Sequence, residues 1–180
     1  MFNRPEVLLQ RGNCIQRKPK KHFMKKITPF LWFNDNAEEA VNYYVSVFKN
    51  SKITAINRYG EGGPAPAGSV LTVSFQLEGE DFVALNGGPH YTFTPAISLF
   101  VNCITQEEVD ELWETLSEGG AKSRCGWLED KYGLSWQIIP ATLMELMNDK
   151  DPVKAGRVMK AMMKMDKIDI KTLQEAYDEK

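Results

Sequence analysis

The chain predicts an α+β fold of two tandem βαβββ modules followed by C-terminal helices, and three observations carry that prediction. Short runs alternate in strand fashion, most plainly at 134–139, where Leu134, Trp136 and Ile138 interleave with Ser135, Gln137 and Ile139. Elsewhere the spacing is helical: Ala37, Ala40, Val41, Tyr44 and Phe48 fall on one stripe. The pattern then recurs 68 residues on, Leu31, Asn34, Glu39 and Val41 returning as Leu99, Asn102, Glu107 and Val109. With the same order of elements in both halves, this repeat indicates an internal duplication.

Taken in order, 27–33 is a strand with Thr28, Phe30 and Trp32 on one side. The Asn34-Asp35-Asn36 cluster offers an N-cap, because an Asx side chain accepts an otherwise unpaired backbone N–H. Glu38 and Glu39 then suit the positive end of a helix running to Phe48. Strands follow at 51–59, 69–77 and 81–86, with a glycine- and proline-rich loop at 60–68. The second module reads as a strand at 96–101, a helix at 106–117 stopped by Gly119-Gly120, and a strand at 121–128. A turn at 130–133 leads into the strand 134–139, and Gly133 supplies the positive φ that ends it. Beyond Pro140 come helices at 142–148, from Asp151-Pro152 to about 164, and from Asp169 to about 177. Six methionines lie on or beside these helices, where they either pack onto the domain or offer an adaptable surface. Packing is the reading adopted.

Composition bounds the function. At 180 residues, 43% hydrophobic and 26% charged, the chain makes one domain (24–140, modules about 24–88 and 95–140) with a helical extension at 141–180. No apolar run approaches the length of a membrane span, so no membrane is expected as partner. Residues 1–26 hold eight Lys/Arg against Glu6 alone, leaving 14 basic and 23 acidic residues beyond them. An acidic body does not invite a phosphate backbone, so no nucleic-acid partner is expected. The basic stretch 1–23 shows neither helix nor strand period and is read as a disordered or non-native extension. Cys14, Cys103 and Cys125 have neither disulfide-framework nor zinc spacing, which fits a reducing, cytoplasmic setting.

The runs FLWF (30–33), AEEAVNYY (37–44), LNGGPHYTF (85–93), AISLFVNC (96–103), CGWLEDKYGLSWQIIP (125–140) and AMMKMDKIDI (161–170) carry a family resemblance. Over about 25–177 the chain resembles the vicinal oxygen chelate superfamily of glyoxalases, bleomycin-resistance proteins and extradiol dioxygenases. Within it, the chain is similar to the PhnB-like group often labelled 3-demethylubiquinone-9 3-methyltransferase. The resemblance implies an open, cup-like mixed sheet of eight strands with helices outside, and a homodimer. It also implies a metal held at four positions that fall here on Thr28, Ala84, Ala96 and Gln137. Only Gln137 offers a donor, whereas such a centre needs three or more ligands, so no metal and no cofactor are expected. The loop 60–68 joins two strands rather than opening a helix, unlike the loops that hold nucleotide cofactors.

Strand parity under that alignment turns Phe30, Trp32, Asn86, Ser98, Phe100 and Gln137 toward the cup's interior. An aromatic concavity with a few polar groups is the composition of a small-molecule pocket; the competing reading is that these aromatics fill the cup as core. His90, in the linker between modules, is the one weak catalytic candidate. With Asn86 and Gln137 it would make a metal-independent lyase or isomerase, and otherwise it is an exposed loop residue. A third reading is a protein-interaction module acting through the Met-rich helices.

Overall fold

A computed structural model gives the fold and describes residues 25–179; the expectation for 1–23 lies outside the described residues. The first module runs β1 (Phe30–Phe33), α1 (Ala37–Val47), β2 (Lys52–Arg58), β3 (Val70–Leu77) and β4 (Glu80–Asn86). The second runs β5 (Ser98–Cys103), α2 (Gln106–Ser117), β6 (Ala121–Lys122), β7 (Trp127–Glu129) and β8 (Ser135–Pro140). Three helices close the chain: α3 (Ala141–Met147), α4 (Pro152–Met162) and α5 (Ile170–Asp178). The strands form two open four-stranded sheets, ordered β1-β4-β3-β2 and β5-β8-β7-β6. In each, the first strand of the module lies parallel to the last. The duplication read from the sequence is thus a duplication of topology, in an α+β fold with C-terminal helices.

Two local expectations change for physical reasons. Asn36 stands at the N-cap of α1 but makes no side-chain cap bond, its backbone (φ −110, ψ 21) lying outside the extended conformation that capping uses. The expected strand 121–128 breaks after Lys122, because Cys125 and Gly126 adopt positive φ. Their N–H groups are taken by the C-terminal segment, Cys125 N donating to Met165 O at 2.8 Å and Gly126 N to Asp166 O at 2.7 Å. By contrast Asp151 and Asp169 cap α4 and α5 with their side chains, as their positions in the sequence predict.

One core serves both modules. The stripe Ala37, Ala40, Val41 and Tyr44 of α1 packs with Leu31, Val73, Phe75 and Ala84, while Val109 and Leu116 of α2 pack with Leu128, Leu134, Trp136 and Ile138. The Phe48 ring stacks on Trp136 at 5.5 Å, joining the two sets. At their junction lies Asp130, 1% exposed. Its Oδ2 accepts from the Tyr44 hydroxyl and from Trp136 Nε1, both at 2.8 Å. Its Oδ1 accepts from the backbone N–H of Tyr132 (2.8 Å) and Leu134 (3.0 Å). The side of each sheet that meets this core is covered, and the opposite side faces away from it.

The C-terminal helices bring a second cluster of Leu143, Val158, Ile168 and Leu173 onto Ile139 of β8. Met147, Met162 and Met165 pack against it, whereas Met144, Met159 and Met163 are exposed. Partial burial of three of the six methionines on or beside these helices, with the Leu143, Val158, Ile168 and Leu173 cluster, therefore fastens the extension to the second sheet.

Candidate functional site

The residues singled out by the sequence fall into two groups. In the first sheet the parallel register pairs Phe30 with Val83 and Trp32 with Leu85 on the outer face. Phe30 is exposed there. Trp32 is held under the 87–97 linker: its Nε1 donates to Gly88 O at 2.8 Å, and Tyr91 meets its ring edge-on at 5.0 Å. In the second sheet Ser98 pairs with Ser135 and Phe100 with Gln137, again on the outer face. Gln137 Nε2 donates to Ser98 Oγ at 2.8 Å, and Trp127 lies across from Gln137 on β7.

Asn86 corrects the expected parity. The same register places Leu31 with Ala84 and Phe33 with Asn86, so Ala84 and Asn86 face the helices. The Asn86 amide is spent there: Oδ1 accepts from Ala37 N at 2.8 Å, and Nδ2 donates to Val70 O at 3.1 Å. It performs for α1 the capping that Asn36 does not, from 49 residues away. Asn86→Ala is expected to cost about 1–2 kcal/mol in urea unfolding, the usual loss for a cap. A variant as stable as the wild type would remove the capping role.

The donor set does not fit a metal. Ala84 is turned to the core and Gln137 is engaged with Ser98. Among the described residues no group of three His, Cys, Asp or Glu is placed to hold an ion. His90 is exposed in the linker. Burial, and secondarily the charge of Glu108, pushes the buried Cys103 thiol up to about 12, which favours the thiol over the reactive thiolate. Asp130, a turn residue by sequence, is the polar centre that sequence reading missed. Its only local signal is an Asp two residues before an N–H that its side chain can bond.

Two hollows adjoin these groups. The larger, about 1030 Å³, lies between the start of α1, the end of β4 and the 60–68 loop, with Glu38, Arg58, Tyr59 and Pro66 among its walls. The other, about 470 Å³, runs between the β3–β4 turn and β5, with Phe82, Phe100 and Trp136 in its lining. Neither unites Phe30 or Trp32 with Gln137.

Two βαβββ modules, each with an open four-stranded sheet, define the chain as an α+β protein of duplicated modules. A putative 3-demethylubiquinone-9 3-methyltransferase, PhnB protein, from Bacillus cereus is 43% identical over 65% of this chain and 100% of its own, with a TM-score of 0.61. The protein PA1353 from Pseudomonas aeruginosa shares the fold at 22% identity, covering 61% of this chain and 92% of its own, with a TM-score of 0.51. A glyoxalase/bleomycin resistance protein from Albidiferax ferrireducens T118 aligns at 15% identity over 61% of this chain and 92% of its own, with a TM-score of 0.39. No curated protein matches. The family described as 3-demethylubiquinone-9 3-methyltransferase matches residues 25–139, well over half of the chain, and the chain belongs to it.

Proposed function

We propose that this protein binds a small molecule between aromatic sheet faces, without a metal or other cofactor, as a cytoplasmic homodimer. The observation that carries the reading is the exposed Phe100 ring beside the Gln137–Ser98 amide–hydroxyl pair. An apolar surface with few, fixed polar groups is how ligand sites combine affinity with orientation. Phe30 and Trp32 supply a similar surface on the first sheet. Within one chain the two surfaces belong to separate four-stranded sheets, and in this reading a second copy brings them together. Free Cys103 and Cys125 fit a reducing compartment, and no helix among the described residues is long and apolar enough to cross a membrane.

Native mass spectrometry of freshly purified protein tests the reading. The expected spectrum is a dimer carrying a small molecule, with no stoichiometric metal. Phe100→Ala should reduce the bound fraction by about tenfold, the equivalent of roughly 1.4 kcal/mol of lost contact. A bare polypeptide mass, or one metal ion per chain, would sink it.

A further inference from the structure

We infer that the loop 60–68 is a flap over the larger hollow, and that Arg58 is the latch holding it against α1. This rests on the small-molecule reading above and adds how a ligand reaches the first sheet. The hollow, about 1030 Å³, has Pro64, Ala65 and Pro66 of the loop on one side and Asn36 and Glu38 of the α1 start on the other. A space of that size accommodates a small organic molecule. Its lining takes in Leu85, which pairs with Trp32 on the outer face, and Gly88, whose carbonyl holds the Trp32 indole. The hollow therefore adjoins the aromatic surface of β1.

The loop's hydrogen bonds stay within its own hairpin. Tyr59 N donates to Ser69 O at 2.9 Å, Gly68 N to Tyr59 O at 2.8 Å, and Ser69 Oγ to Pro66 O at 2.6 Å. A Cβ built at Gly60, Gly62 or Gly68 would meet nothing within 4 Å, so no neighbour props the tip. The tie to the rest of the molecule is Arg58. Its guanidinium donates through Nη1 to Gly68 O at 3.2 Å and through Nη2 to Glu38 Oε1 at 2.8 Å. Among the described residues no other side-chain hydrogen bond joins 58–69 to α1. Just before the latch, the pairing of β2 with β3 shifts register between Asn57 and Arg58. Such an irregular rung bends a strand, and here it lets the hairpin's end turn without opening its own bonds. Both side chains of the Arg58–Glu38 pair are partly exposed, so it breaks at little cost. One weak tie suits a flap: it holds the loop over the hollow and yields to admit a ligand.

Thiol labelling inside the hollow tests the flap on the full chain. Asn36→Cys places a reporter in the lining, with Cys14 and Cys125 replaced by serine and Cys103 left buried. A small maleimide should react at least about fivefold faster when Arg58→Ala or Glu38→Ala is added, because either change frees the loop. The two changes together should give no more than one alone, since both undo the same tie. In a chain lacking 62–66 the reporter should label at the fast rate, and Arg58→Ala should add nothing to it. Circular dichroism and urea unfolding check that each variant is folded, and separate a moved flap from a loosened domain. Equal rates with and without Arg58, or an effect of Arg58→Ala that persists in the shortened chain, overturns the flap. Labelling involves no ligand: a chain that labels as stated but carries no small molecule in native mass spectrometry defeats the binding reading alone.

Discussion

Asp130→Ala is expected to lower the free energy of unfolding by roughly 4 kcal/mol or more, measured by urea denaturation. The side chain is 1% exposed and accepts four hydrogen bonds, two from side chains and two from backbone. Removing the acceptor strands three buried donors and one part-buried one, each buried one costing about 1–3 kcal/mol, with some recovered by relaxation. Against a typical total of about 5–15 kcal/mol, that is a large part of the stability. Asp130→Asn separates the contributions. It keeps one oxygen for the N–H groups of Tyr132 and Leu134 but turns an NH₂ toward Trp136 Nε1–H, which has no lone pair to accept it. An intermediate loss, roughly 1.5–3 kcal/mol, is expected. An alanine variant within about 1 kcal/mol of the wild type would refute the role, since even one stranded donor costs that much.

The same cluster sets a response to alkali. Burial first, then the charge and hydrogen bond of Asp130, raises the Tyr44 phenol well above its ordinary value. Because the folded pKa is the higher one, the folded state holds this proton more tightly. The stability from Tyr44 is therefore fully present below about pH 10, the unfolded tyrosine value, and is lost as pH rises beyond it. In Tyr44→Phe this contribution to the alkaline fall should disappear, along with about 1–3 kcal/mol of stability at neutral pH for a bond to a charged acceptor.

Gly87→Ala is expected to damage the first sheet's half of the proposed site most directly. A Cβ at position 87 would lie 2.3 Å from two carbons of the Trp32 ring, which is pinned on its other sides by the Gly88 carbonyl and Tyr91. The ring cannot yield without giving up its Nε1 hydrogen bond, so the indole or the linker must move. Such overpacking costs about 1–3 kcal/mol. The expected signs are a lower melting temperature, a changed tryptophan emission spectrum, faster proteolysis within 87–97 and loss of bound ligand. A variant with unchanged emission and melting temperature would show that Trp32 does not depend on this close approach.

Which way Asn86 and Phe100 face is a matter of register. Along 134–138, at the start of β8, Leu134, Trp136 and Ile138 alternate with Ser135 and Gln137, so the sequence alone tells the two faces apart. In β4 the run Phe82-Val83-Ala84-Leu85 is apolar throughout, and alternation carries no sign. The family's metal positions imply one facing, and the pairing with β1 reverses it. Asp130 was read as a turn residue because its local pattern is that of a turn. It is buried because Tyr44, 86 residues away, reaches it.

What the sequence determined by itself was therefore what is written within a few residues: the two βαβββ units, the caps at Asp151 and Asp169, the turn at Gly133 and the two faces of β8. Periodicity and capping act over one or two turns of chain, and a single sequence displays them. The tertiary structure alone decided the facing of β4, the remote cap from Asn86, the burial of Asp130 and the division of the aromatic residues between two sheets. Each depends on which distant segments meet, and no local pattern encodes that.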